Sequence, residues 1–249
     1  MPRKMKLTES NYYGSKANKS FFSVSQFKEF MNCEAMALAS IRGEYKRPMT
    51  RPMLIGSFVD AYFEGTLSQF MNEYPEIFTR KNELRAEFKK ANEIIARVQN
   101  DPMFMQFLSG DKQRILTFKM FGVDWKMKMD SFVEGICITD LKVVATFKNL
   151  HAFRYDIQGA IYQKGVEIAL DQHLPFYLAA ATKERVTDFD VFQIPQNILD
   201  EALDEVAIQM PRFVKVKKGL EEPIYCGKCD YCKSIKQAKI RSYTELMEG

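Results

Sequence analysis

The chain reads as an α/β domain, and three observations carry that reading. Apolar residues recur at helical spacing through its N-terminal part. Three strand-like segments follow at about 114–121, 124–133 and 136–144. Then comes another helical pattern and a further buried strand, an order expected of one α/β domain with helical additions over residues 1–249. With 249 residues, 46% hydrophobic, and 20 Phe and 11 Tyr, the chain can bury a sizeable core, which excludes global disorder.

Taken in order, residues 1–20 are expected to form a flexible arm. Ser23-x-x-Gln26 has the pattern of a capping box and opens a helix over SQFKEFMNCEAMALASIRGEY, with Phe27, Phe30, Met31 and Ala35 at helical spacing. Lys46-Arg47-Pro48 ends it, and Pro52 precedes a second helix, MLIGSFVDAYFEGTL. A third helix is expected over 81–99, turning Leu84, Phe88, Ile94, Ile95 and Val98 to a core. After the three strands, YDIQGAIYQKGVEIALD makes a helix. LPFYLAAATKE reads as a buried strand, and FDVFQIP as an edge strand because Pro195 closes it. A helix around 196–216 and a cysteine-bearing tail over 220–249 complete the chain.

The chemistry concentrates in KMKMDSFVEGICITDLKVV. Read as two strands joined by a turn at Glu134-Gly135, this stretch brings Asp130 beside Asp140 and Lys142, which share one strand face while Leu141 points the other way. Alternating charge on a strand more often marks a solvated sheet face. Here the Asp-Leu-Lys lies inside an apolar run, where unpaired charge is costly. Two carboxylates and an ammonium on one patch suit a hard divalent cation and attack on a phosphodiester. Gln158 and Tyr162, four residues apart, share a helical face suited to a DNA phosphate or a metal-bound water. Asp60, in an apolar helical context, could add an oxygen ligand, with Glu64 one turn later as its competitor.

Five cysteines complete the picture. Cys226, Cys229 and Cys232 form C-x2-C-x2-C, a spacing that matches the opening of ferredoxin-type cluster motifs and needs a fourth ligand, for which Cys33 is the candidate. A [4Fe–4S] cluster is the expectation and Zn2+ the alternative. Cys137, between Ile136 and Ile138, reads as a buried small hydrophobe, and His151 and His173 are given no role. A net charge of +4 permits a polyanionic partner. No apolar run is long enough for a membrane span, and MPRKMKLTESNYYG carries no apolar segment, so a cytoplasmic, reducing location is expected.

Together GSFVDAYFEG, KMKMD, ITDLK and YDIQGAIY resemble the PD-(D/E)XK nuclease superfamily, in the branch of the RecE-type, RecB-type and lambda-exonuclease-like enzymes. The resemblance implies a restriction-endonuclease-like core over 54–183: helix, three-stranded antiparallel meander, helix and strand. It implies that Asp130, Asp140 and the Leu141 carbonyl bind Mg2+ (or Mn2+), that Lys142 orients the attacking water, and that Gln158 and Tyr162 match a Gln-x-x-x-Tyr motif. Asp60 stands where many members carry a histidine, and Met129 where the motif has proline. Cys33 before the core and CGKCDYC after it resemble the iron–sulfur staple of AddAB-type nucleases, which would pack the tail near Cys33. The implied function is an exonuclease resecting double-stranded DNA in phage-type recombination, encoded by a phage or prophage in a bacterial cell. A single-strand annealing protein as partner and a homo-oligomer follow from the same resemblance. A single-strand nuclease of the CRISPR-adaptation type and an inactive DNA-binding module are the alternatives.

Overall fold

The computed structural model describes residues 5–148, 150–240 and 242–243. A helical N-terminal half leads into a two-stranded sheet and then a four-stranded one that is covered on both faces. The first helices are α1 (Ser15–Ser20), α2 (Val24–Asn32), α3 (Glu34–Arg42), α4 (Arg51–Glu64), α5 (Leu67–Glu73), α6 (Ala86–Gln99) and α7 (Pro102–Phe107). Next come β1 (Arg114–Met120), β2 (Val123–Met129), β3 (Ser131–Val133) and β4 (Cys137–Val144). Then follow α8 (Tyr155–Leu170), β5 (Phe176–Thr182), β6 (Phe189–Gln193), α9 (Gln196–Lys217) and α10 (Asp230–Ser234).

The expected α/β architecture is present. β1 pairs antiparallel with β2, and β3 with β4, so the chain from β1 to β4 is the antiparallel meander. α8 then crosses over to bring β5 parallel to β4, and β6 closes the edge, giving the order β3-β4-β5-β6. β4 is thus an interior strand, which accounts for its apolar sequence on both faces. Ile138 of β4 faces a core built by α2, α8, α9 and Trp125, while Leu141 faces a second core built by α4, α6 and α7. Fully burying a large apolar side chain such as Phe27, Phe58 or Phe88 stabilises by roughly 1.5–3 kcal/mol. Among the described residues no helix is long and apolar enough to cross a membrane.

Four expectations need correction. The helix expected from Ser25 to Tyr45 is two helices, broken at Cys33, whose backbone is extended at φ −167° and ψ 108°. The break is held by Glu34: Arg212 of α9 donates to both of its carboxylate oxygens, and the Ile224 amide donates to one of them. The third helix starts at Ala86 rather than 81. The Thr79 hydroxyl accepts from the amides of Lys81 and Glu83, Asn82 takes a left-handed conformation at φ 60°, and Leu84 bridges to Phe78. That local turn competes with helix initiation. The capping box is half formed: the Ser23 hydroxyl accepts from the Gln26 amide, but the Gln26 side chain bonds Asn18 and Lys217.

The arm expected over 1–20 is in part a packed element. Tyr12 and Ala17 are buried, and Lys126 donates to the Tyr12 carbonyl and the Asn18 side chain. Residues 1–4 of that arm, and 241 and 244–249 of the tail, lie outside the described residues.

Candidate functional site

Strands β2 and β3 are one strand interrupted at Asp130. Ser131 pairs with Thr139 and Phe132 with Ile138, so the same register extended by one step sets Asp130 opposite Asp140. Like charges directly opposed disfavour pairing, and the ladder opens there. The Leu141 amide donates instead to Asp130 Oδ2 at 3.0 Å, and Gln113 Nε2 donates to Asp130 Oδ1 at 3.4 Å.

Asp140 is 2% exposed. Gln158 Nε2 on α8 donates to its Oδ1 at 2.6 Å, and Lys142 Nζ lies 2.6 Å from its Oδ2. The same ammonium donates to the Leu141 carbonyl at 2.8 Å and lies 3.7 Å from Asp130 Oδ2. One cation therefore sits among three oxygens, those of Asp130, Asp140 and Leu141. Two carboxylates and a main-chain carbonyl are the hard donors that Mg2+ or Mn2+ takes, so the residues present fit such an ion.

Electrostatics describe the same patch. Burial raises the Asp140 pKa, Lys142 opposes the rise and Asp130 adds to it, leaving it at about 7. Asp60 is raised well above the usual carboxylate range by burial and then by the charge of Asp130. Burial works against the charge on Lys142, but Asp140, Asp130 and Asp60 outweigh it and keep the ammonium protonated. Three carboxylates thus share one lysine, and the surplus negative charge favours a divalent cation.

Asp60 and Glu64 both reach this patch from α4, lining one small cavity with Gln113, Asp130 and Leu141. A cleft of about 470 Å³ opens beside it, bounded by Asp60, Glu64, Lys112 and Lys128 and by Glu9 and Tyr13 of the N-terminal segment. Gln158 and Tyr162 share a helical face, yet neither is directed at open space. Gln158 is engaged by Asp140, and the Tyr162 hydroxyl donates to the Lys128 carbonyl at 2.9 Å, tying α8 to β2. Both hold the patch in place in this arrangement.

Apart from this patch, the thiols of Cys33, Cys226, Cys229 and Cys232 lie within 4.8 Å of one another and could hold a metal ion. Cys33 and Cys232 are 3.6 Å apart, and Cys226 and Cys232 3.9 Å. The amides of Cys229 and Lys228 donate to Cys226 Sγ and lower its pKa to about 6, while burial raises Cys229 to about 12. Cys137 is buried in β4, away from this group.

Residues 23–235 match the sequence pattern of a family described as a PDDEXK-like domain of unknown function, DUF3799. The chain belongs to that family. A crystal structure from Eubacterium rectale, of a protein provisionally described as an exonuclease, is similar at TM-score 0.94 and 42% identity, covering 98% of this chain and 99% of that one. The structure of SSO0001 aligns at TM-score 0.30 and 14% identity over 87% of this chain and 96% of that one, too weakly to carry an argument. No curated protein matches in sequence.

For a PDDEXK-like domain, sequence reasoning missed Gln113, Lys112 and Lys28 around the patch. Gln113 precedes β1 at φ 53°, and nothing in its sequence context marks a side chain that reaches Asp130. Lys28 is five residues before Cys33, on a helix whose apolar spacing alone drew notice.

Proposed function

We propose that this PDDEXK-like domain is a Mg2+-dependent deoxyribonuclease acting at the ends of double-stranded DNA. The observation that carries the reading is the position of the Lys142 ammonium among the oxygens of Asp130, Asp140 and Leu141. A cation of higher charge would be held by that set, with Asp60 or Glu64 as a further ligand. Bound there, Mg2+ would supply charge stabilisation on the phosphate and a more acidic water. Released from the carboxylates, Lys142 Nζ would donate to a phosphate oxygen or orient the attacking water. The water oxygen forms a new bond to phosphorus, giving up a proton to solvent, as the bond to the departing sugar oxygen breaks and that oxygen takes up a proton from solvent. Gln158 fixes Asp140 through its Oδ1, leaving Oδ2 for the cation.

The exonuclease assignment draws on the description of the Eubacterium rectale protein. A role in phage-type recombination, an annealing protein as partner and a homo-oligomer rest on the superfamily resemblance. We read the cysteine group as a structural metal centre. Its C-x2-C-x2-C spacing favours [4Fe–4S]. Its sulfur separations favour one tetrahedral ion, because a Zn–S bond of about 2.3 Å sets sulfurs about 3.8 Å apart. Brown protein absorbing near ~400 nm decides for iron–sulfur, and colourless protein with stoichiometric zinc for the second reading.

The test of the nuclease reading is release of label from 5′- and 3′-labelled duplex and from single strands in Mg2+ or Mn2+. Asp140→Asn and Lys142→Ala are each expected to lose about 100-fold or more in rate with folding retained. Undiminished cleavage by both variants sinks the reading. Preference for single strands selects the CRISPR-adaptation-type alternative, and salt-sensitive binding without cleavage under any divalent metal selects an inactive DNA-binding module.

A further inference from the structure

Lys28 stands near the patch, but its ammonium bonds none of the patch's carboxylates. Its ammonium donates to the Phe153 carbonyl at 2.9 Å and lies 5.1 Å from the centre of the Tyr155 ring. Tyr155 opens α8, and Gln158, three residues on, projects from the same helical face to hold Asp140. Lys28 therefore packs against the first turn of α8, the turn that also carries Gln158.

The charges that face Lys28 are Asp140 and Lys142 from β4, and Asp156 and Arg154 at the start of α8. Each carboxylate among them is already engaged. Asp140 is held by Gln158 and Lys142. Asp156 accepts from Arg154, which also binds Glu205 of α9. Among the described residues Lys28 has no carboxylate at ion-pair distance, and one of the three donors of its ammonium is used. Burial moves its pKa down to about 8, so the charge persists at neutral pH. A half-buried ammonium with spare donors, beside a second lysine, lacks only an anion.

We propose that Lys28 is a phosphate-contacting residue that, with Lys142, grips the backbone of the bound DNA strand. The proposal rests on the reading of this site as one that takes a phosphodiester. Lys28 reaches it from α2, outside the stretch that supplies Asp130, Asp140 and Lys142.

The experiment follows fluorescence anisotropy of a labelled duplex oligonucleotide against KCl concentration in Ca2+, and cleavage in Mg2+, for wild type, Lys28→Met and Lys28→Arg. Removing one phosphate contact lowers the slope of log K against log salt by about 0.9. Lys28→Met is expected to show that loss, with affinity and kcat/KM down about tenfold, while Lys28→Arg keeps the wild-type slope. A wild-type slope in Lys28→Met overturns the proposal; if its melting temperature has also fallen, Lys28 is a structural tie between α2 and Phe153. Should Lys28→Met fail to fold, Lys28→Gln carries the same slope comparison. Wild-type protein that binds without cutting removes the nuclease reading, while the slopes still decide Lys28. Wild-type protein that does not bind DNA removes both.

Discussion

The carboxylate patch and the cysteine group differ in how far apart their members lie in sequence and in what balances their charge. Asp130, Asp140 and Lys142 come from one hairpin, Asp130 at the junction of β2 and β3 and the other two on β4, and Lys142 supplies a cation from within. The cysteine group joins Cys33 to Cys232 across 199 positions, and its sulfurs are met by nearby backbone amides, those of Lys228 and Cys229 on Cys226 and that of Cys232 on Cys229. A patch with its own counter-ion can be assembled by folding alone. A thiol cluster without one assembles fully when a metal replaces its protons, so a metal bound there would be coupled to the fold as a whole.

The sharpest way to break this contrast is to delete one ligand on each side and compare stability. Cys33→Ser removes the member that fastens the break between α2 and α3 to the C-terminal tail. Closing a loop of this length is worth about 5 kcal/mol in chain entropy. For a chain of this size that corresponds to a fall in Tm of about 10–20 °C. Lys142→Ala is expected to shift Tm much less, because Asp140 can take up a proton when its partner is lost. Equal shifts measured by scanning calorimetry would erase the difference between the two sites.

The same contrast governs what could be read from sequence. Asp130, Asp140 and Lys142 were legible because strand alternation acts over two residues and the hairpin is short. β4 and β5 were legible as unbroken apolar runs. The break at Cys33 was not: helical spacing continues through EFMNCEAMA, and what interrupts it is Glu34 meeting Arg212, a partner 178 residues away. The packed N-terminal segment was hidden for the same reason. Tyr12 is buried because Lys126 reaches it from β2, and polar residues around it read as a loose arm. Gln158 was found by its helical spacing, but its partner turned out to be Asp140, since only the crossover from β4 through α8 to β5 fixes which strand that face meets.

A second, smaller effect separates the sites by pH. The Asp140 pKa is raised to about 7 in the folded chain, against about 3.9 when unfolded. The folded state therefore binds the proton more tightly, and this contribution to stability is full below about pH 4 and is lost as pH rises through 7. Without added divalent cation, Tm is expected to fall between pH 5 and pH 8 by more in wild type than in Asp140→Asn. Mg2+ competes with the proton for the carboxylates, so it should raise Tm more at pH 8 than at pH 5. At a hundredfold excess over its dissociation constant the gain is about 2.7 kcal/mol. An equal Mg2+ gain at both pH values would place the ion away from Asp140.

The smallest expected effect tests whether the carboxylate patch depends on α8 as the cysteine group depends on the tail. Gly159 follows Gln158, and a Cβ there would come within 2.7 Å of the Phe176 ring and 2.8 Å of Leu199. Both neighbours are side chains, so α8 can be accommodated by a shift away from β5 and α9 at a cost of about 1–3 kcal/mol. That shift would lengthen the 2.6 Å bond from Gln158 to Asp140 and free the carboxylate to move with Lys142. Gly159→Ala is therefore expected to lower kcat with little change in DNA affinity, since Lys112 and Lys128, which bound the cleft, lie away from α8's contact with β5 and α9 and stay where they are. The cysteine metal content should be unchanged, because α8 does not touch that group. A variant that loses metal and keeps kcat would mean that the cysteine centre, and not the carboxylate patch, is what α8 supports.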